Sequence, residues 1–356
     1  MIKVYLERKI IFDIITICFD WCGKNWNKMN EDLNSEICIQ EPMRSLDNQK
    51  KSYDVIIPVD KKNSKFVKNV VKYIRLNLPE ANYIYLIANE TLFKCLGGGV
   101  DNRCILIDEN KMIPELNFSD VHHYLLNNGM LNINTVGWYF QQFLKFGFAF
   151  TSYCKEYYLS WDADTLPLAH IHFFENNKPL FTLKKEYHPP YFETLHRLIG
   201  LGKAAKYSFV AEHMMFNQKI VHELIEEIKQ SKVKGDNWVE KCINACDFNS
   251  TSGHFSEFET YGTYCLVYYP EFYGTQFLNT FRSAALIRGR YINDFIIERL
   301  AMDVDIASFE IYDAIFPYDF EKRKYLLARK IRRLCSSSFK DNVKLICENI
   351  SRKMRK

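Results

Sequence analysis

No Cys-x-x-Cys pair occurs among the 11 cysteines of this 356-residue chain. The closest spacings, Cys18/Cys22 and Cys242/Cys246, are i,i+4, which suits one helix face better than a zinc site. An odd, scattered set reads as free thiols in a reducing compartment, and the cytoplasm is the expected location. A secretory leader is also missing. The first apolar run, residues 10–19, is broken by Asp13 and lacks a small-residue cleavage site. No stretch reaches the roughly 18 apolar residues of a spanning helix. Phosphate loops are absent in their usual forms. The triple glycine at 97–99 has neither the G-x-G-x-x-G spacing nor the lysine of a Walker loop, and it reads as a flexible turn.

Charge is nearly balanced, at +4 overall, but unevenly placed. Residues 321–356 hold thirteen Lys/Arg against three Asp/Glu, a net of +10, so the rest of the chain is at −6. A basic tail on an acidic body fits a polyanionic surface as partner. The tail alternates cations with Tyr325, Leu326, Leu327, Ile331 and Leu334. It is expected to be helical, either packed on the body or lying on anionic lipid through residues 322–356. A nucleic-acid partner is not expected, because the body offers no basic platform.

Hydrophobic residues make up 47% and aromatics 15%, enough for a sizeable core. Residues 1–52 read as an N-terminal extension without assigned chemistry. Order is expected from Tyr53. YDVIIPV at 53–59 has the length and β-branched content of a buried parallel strand. Ser64 is placed to cap a helix carrying Phe66, Val67, Val70, Val71 and Ile74 at helical spacing. Further strands are expected at 83–88 and 104–108, and a helix at 134–148. This alternation predicts an open, doubly wound α/β sheet, whose ligands sit beyond the carboxyl ends of the strands. The expected division is a first half at 53–168, a second half at 169–300 and the tail at 301–356.

The chemistry centres on YYLSWDADTLPL, residues 157–168. An apolar strand ends in two carboxylates one residue apart, Asp162 and Asp164. Carboxylate oxygens suit Mg²⁺ or Mn²⁺, ions usually shared with substrate phosphates. The plain alternative is an acidic turn after a core strand. The carboxyl-edge rule puts Asp60 and Lys61 on the same side. Gln141, Gln142 and Lys145 are polar groups on an apolar helix, either a solvated face or contacts to a sugar and phosphates. His188-Pro-Pro-Tyr191 is a rigid aromatic segment able to line a sugar site. A strand is expected at 207–216, whose alternation points Glu212 and His213 in opposite directions. Ser256 and Glu259 have capping-box spacing. Glu257, in the first helical turn, is a candidate general base.

In order, YDVIIPV, GWYFQQFLKF (137–146), YYLSWDADTLPL, SFVAEHMMF (208–216) and FSEFETYG (255–262) make the chain resemble the GT-A glycosyltransferases. The resemblance covers roughly residues 53–290 and leans to a bacterial branch that assembles surface and capsular polysaccharides. It implies a GT-A-like fold and a nucleotide-sugar donor, expected to be a UDP-sugar. The donor would be bound by Pro58, Asp60, Lys61, Gln141, Gln142, Lys145, Trp161 and Asp162. It implies Mn²⁺ or Mg²⁺ on Asp162 and Asp164, with His213 or His254 as a third ligand. It also implies a saccharide or lipid-linked saccharide acceptor near His188, Tyr191, His213 and Tyr261. Glu257, or failing that Glu259, would serve as base in an inverting enzyme. The expected place is the cytoplasm, at the inner face of the plasma membrane. Two other readings compete: a nucleotidyl- or phosphotransferase using the same carboxylates, and a non-enzymatic polyanion-binding protein.

Overall fold

The computed structural model describes residues 51–97, 102–130, 135–249, 253–290 and 292–313. The expected N-terminal extension, save its last two residues, lies outside these, as do Gly98, Gly99 and the basic tail from 314 onward.

The central sheet is the open, mostly parallel sheet expected. It is built from β1 (Tyr53–Pro58), β2 (Ala81–Ala88), β3 (Cys104–Asp108) and β4 (Tyr157–Trp161). The β5 strand (Thr165–Pro167), β6 (Phe174–Glu175) and β7 (Lys178–Thr182) follow in the chain, before β8 (His213–Asn217) completes the sheet. The order is β3-β2-β1-β4-β8, with β1 to β4 parallel and β8 antiparallel to β4. Every residue of β1 is buried, which is why it reads as a continuous apolar run. Strand alternation sends Val55 and Ile57 into one core and Ile56 into the other. Both faces are therefore covered by helices.

One face takes α1 (Val67–Asn77), which buries Val67, Val70, Val71 and Ile74. The expected cap at Ser64 is not formed. Phe66 occupies the N-cap position, while the Ser64 hydroxyl donates to the Lys61 carbonyl at 2.9 Å in the preceding turn. The other face takes α2 (Val136–Gly147), α3 (Gln218–Gln230), α4 (Trp238–Asn244) and α5 (Glu257–Tyr268). Asn217 caps α3, its side chain accepting from the Ile220 amide at 3.2 Å. The high aromatic content fills this layer: Phe143, Phe146, Tyr158, Phe216 and Trp238 pack mostly edge to face.

Among the described residues two smaller sheets flank the central one. One joins β7 to β6 and to β9 (Gly274–Gln276). The other joins β10 (Thr280–Phe281), β11 (Ile306–Ser308) and β5. The boundary expected at residue 300 falls inside this last sheet. Ala307 pairs with Leu166, so residues 306–308 belong to the same sheet as the end of the Asp-x-Asp turn. The strand expected at 207–216 is shorter than its apolar run. Only His213–Asn217 pairs with β4, and Ser208 makes an isolated bridge with Lys184. Among the described residues no helix is long and apolar enough to cross a membrane.

Candidate active site

From β1 the sheet grows outward through β2 and β3, and then the chain returns to add β4 on the other side of β1. The crevice between the carboxyl ends of β1 and β4 is thus a topological switch point, where open α/β sheets bind ligands. Asp60 and Lys61 leave β1 there, both exposed. Pro58 is buried as the last residue of β1. The Asp60 carboxylate accepts from the Asn63 amide at 2.8 Å and shapes the turn.

Asp162 and Asp164 leave β4 at the same edge. The Asp162 amide donates to the Glu212 carbonyl at 3.0 Å, and the Thr165 amide returns to the Asp162 carbonyl at 3.3 Å. The Phe309 amide donates to the Asp164 carbonyl at 2.8 Å, so β11 clamps the turn from the far end of the chain. That clamp brings in Glu310, which the sequence reading missed. Burial pushes the Asp164 carboxyl well above the usual carboxylate range, and the Glu310 and Asp162 charges push it further. Burial, then Asp162, raises Glu310 in the same way. Arg290 counters this crowding and is held by the β1 turn, donating to Asn63 Oδ1 at 2.6 Å and to the Lys62 carbonyl at 3.2 Å.

Among the described residues no three His, Cys, Asp or Glu side chains form a ready metal cage. Mg²⁺ and Mn²⁺ do not need one, since one or two carboxylates plus substrate phosphates and waters suffice. An all-oxygen donor set with excess negative charge fits such an ion. Asp162 and Asp164 are the residues that would hold it, with Glu310 beside them.

Lys145 organises the floor. Its Nζ lies 2.7 Å from Glu257 Oε1 and 3.2 Å from Asp162 Oδ1, and 4.2 Å over the Phe258 ring. Burial alone would lower the ammonium pKa, but Asp162 and Glu257 outweigh it and hold Lys145 at about 12. Tyr158 fixes the backbone below, its hydroxyl donating to the Lys145 carbonyl at 2.9 Å. Gln142 is buried next to this pair and accepts the Glu257 amide at 3.3 Å, whereas Gln141 is half-buried.

Several expectations are corrected by burial. Glu257 is 4% exposed and ion-paired to Lys145, so it sits behind the lysine rather than open to an acceptor hydroxyl. Glu259 is equally buried. Its amide donates to Ser256 Oγ at 3.2 Å, while its carboxylate accepts from Ser208 Oγ at 2.5 Å and the Phe209 amide at 3.2 Å. Trp161 is wholly buried, its indole N–H donating to the Thr165 carbonyl, and so it packs rather than faces a donor. His213 stacks on Trp161 with centroids 4.9 Å apart and bonds the Thr182 hydroxyl at 2.7 Å. Burial drops its pKa to about 3, and Trp161, Phe173 and Thr182 enclose the ring, so it packs as a core residue rather than facing a metal or an acceptor. Tyr261 is also buried, bonding the Asn217 amide and the Tyr273 hydroxyl. His254 is packed against Phe248 in the helical layer. Tyr191 and His188 are half-buried, ring to ring at 4.4 Å, and His188 bonds the Gly253 carbonyl at 2.7 Å. Tyr191 feels the Glu257 charge, and burial raises its phenol to about 12, so it borders the same floor.

Glu212, Lys184 and Arg282 were missed too. Glu212 Oε2 lies 3.4 Å from Lys184 Nζ, and Oε1 lies 3.4 Å from Arg282 Nε. The strand alternation did separate Glu212 from His213. It is Glu212 that faces the Asp162 side, where the two charges interact.

No family model matches the chain, and no curated protein sequence does. Solved structures similar to it include the galactosyltransferase LgtC in complex with donor and acceptor sugar analogues. That match has 14% identity over 72% of this chain and 86% of that one, with a TM-score of 0.35. Mouse xyloside xylosyltransferase 1 is 13% identical over 74% and 99%, with a TM-score of 0.38. Core-mannan synthase A of Aspergillus fumigatus, in its Mn/GDP form, is 10% identical over 58% and 73%, with a TM-score of 0.33. These likenesses are too distant to carry a function, which must be read from the site's own chemistry.

Proposed function

We propose that the chain is a glycosyltransferase that moves a sugar from a nucleotide-sugar donor, a UDP-sugar, to a saccharide or lipid-linked saccharide acceptor in surface polysaccharide assembly. The observation that carries this is the crowding of Asp162, Asp164 and Glu310 at the β1/β4 switch point, beside Arg290. Carboxylates crowded in one crevice repel one another unless they share a proton or a cation, and a divalent ion is the partner that a diphosphate substrate would bring. A bound Mn²⁺ or Mg²⁺ supplies neutralisation of the departing diphosphate. Asp162 and Asp164 would hold that ion, and Arg290 and Lys61 add positive charge at the β1 side. Lys145 orients Asp162, and Glu257 holds Lys145. Tyr191 and His188 line the rim toward the acceptor. In the reaction the bond between the sugar's anomeric carbon and the diphosphate breaks, the diphosphate leaves with the electron pair, and an acceptor hydroxyl oxygen takes its place, its proton passing to the departing diphosphate or to water.

Incubation with a panel of UDP-sugars and Mn²⁺ tests the reading by product. A glycosyltransferase releases UDP, at a slow rate even with water as acceptor, and Asp164→Asn should cut release at least a hundredfold. Release of pyrophosphate from a nucleoside triphosphate would instead favour a nucleotidyltransferase. Residues 322–356 are proposed to bring the protein to anionic membrane at the cytoplasmic face. Liposome binding that salt weakens and truncation of 322–356 removes would support this.

A further inference from the structure

Residues 61–79 hold five lysines and one arginine and no Asp or Glu, although the chain before its tail is net acidic. Helical spacing gathers this charge on one side. Val67, Val70, Val71 and Ile74 are buried along one face of α1, and Lys68, Lys72 and Leu76 recur every fourth residue on the opposite face. Lys65, three residues before Lys68, extends the row into the preceding turn. Lys65, Lys72 and Leu76 are exposed and Lys68 is half-buried. Lys61 and Lys62, also exposed, head the row where the chain leaves β1. Arg290 donates to the Lys62 carbonyl at 3.2 Å, so the row begins beside the β1/β4 crevice and runs down the outside of α1. The expectation of a body without a basic platform fails here.

Acids approach the row from the helix Asp294–Ala301, where Asp294 and Glu298 come close to Tyr73. Asp294 pairs with Lys72 at 3.3 Å, but with side chains 78% and 54% exposed such a pair is weak and does not cancel the row. Arg75 is already committed, its guanidinium donating to the Asn82 and Arg103 carbonyls. What faces outward is therefore lysine, a compact point charge that suits a diffuse anionic surface better than two-pronged reading of bases or phosphates. The rings of this stretch, Phe66 and Tyr73, are buried, so the face offers no platform for stacked bases. Leu76 adds an exposed apolar side chain one turn beyond Lys72.

We propose that this face of α1 lies on an anionic lipid surface, with Lys62, Lys65, Lys68 and Lys72 among the headgroups and Leu76 at the edge of the acyl region. The proposal rests on the reading that the chain works at an anionic membrane, and it adds a surface of the body to the tail, residues 322–356. It also fixes an orientation. Lys61 and Lys62 stand beside the crevice, so a chain lying on this face brings the β1/β4 edge to the membrane surface, within reach of a lipid-linked acceptor. Each lysine near such a surface strengthens binding about fivefold, about 1 kcal/mol, and salt weakens the attraction.

The test sediments the full chain with vesicles of phosphatidylcholine, alone or with one third phosphatidylglycerol, at low and high salt. The wild type should bind the anionic vesicles only, and less at high salt. Lys65→Gln/Lys72→Gln should weaken that binding about twenty-five-fold, two lysines at about fivefold each. Lys178→Gln/Lys219→Gln removes the same charge from other exposed lysines and should stay within about threefold of wild type. All four side chains are exposed, and Tm should stay within a degree or two of wild type in both variants. Binding of the first variant within twofold of wild type, or an equal loss in both variants, overturns the proposal and leaves attachment to the tail or to net charge. A wild type that ignores anionic vesicles overturns the proposal and the membrane reading together, and retention of duplex DNA in its place would make the face a nucleic-acid surface. Release of UDP from a UDP-sugar does not depend on vesicles, so the glycosyltransferase reading stands or falls apart from this result.

Discussion

Lys145 is the residue on which the floor of the site depends. It is buried between Glu257, which is itself buried, and Asp162, which is partly open. Removing one partner of a buried ion pair costs about 3–5 kcal/mol, because the other charge is left unpaired. Lys145→Met should therefore destabilise the fold by about that much in urea titration, and Lys145→Met/Glu257→Leu should recover a large part of it. Equal stability of single and double variants would mean the pair is not coupled. His213 provides a second prediction at this scale. Its folded pKa, about 3, lies below the ordinary value of 6.5 because the ring is desolvated. Between these values the unfolded chain binds a proton that the native chain does not, so this contribution disfavours folding as pH falls from 6.5 toward 3. The stability of wild type relative to His213→Gln should accordingly decline from pH 7 to pH 4. A pH-independent difference would show that the histidine is not buried as a neutral ring.

At the scale of elements, α5 packs with no room to spare. A Cβ on Gly262 would sit 2.3 Å from the Phe209 ring, and that ring is buried and meets Phe181 edge to face. Alanine raises helix propensity by about 0.8–1 kcal/mol, but forced overpacking costs about 1–3 kcal/mol. Gly262→Ala should thus lower the unfolding midpoint, and a raised midpoint would show that Phe209 yields freely. This contact also explains where the sequence was readable and where it was not. The spans of β1, β3, β4 and α3 follow from continuous apolar runs or from 3.6-residue periodicity, signals that neighbours do not alter. The run at 207–212 has the same strand-like composition, yet Ser208 and Phe209 are drawn to Glu259 and Gly262 on α5. A tertiary contact there overrides a local pattern. Trp161, His213 and Tyr261 were misplaced for a related reason: polar atoms on strand and helix residues are satisfied inside the core by partners distant in sequence. Lys145 next to Asp162 was within reach, since both lie on the elements flanking the motif.

At the scale of the whole molecule, the site is closed by chain segments that no local pattern links. Glu310 reaches Asp164 because β11 pairs with β5, across more than a hundred residues. A run such as IASFEIY, residues 306–312, carries strand-like alternation and was the available signal. The expected boundary at residue 300 hid it. The central claim is that the β1/β4 edge holds a nucleoside diphosphate with a divalent ion. Thermal unfolding of the full chain with UDP, GDP and their sugar conjugates, with and without Mn²⁺, tests it most directly. A ligand at 100 times its dissociation constant adds about 2.7 kcal/mol to stability. The account predicts a Mn²⁺-dependent rise in Tm with one nucleotide, abolished in Asp162→Ala/Asp164→Ala. A folded protein whose Tm no nucleotide moves, with or without metal, would contradict it and leave the Asp-x-Asp turn a structural feature.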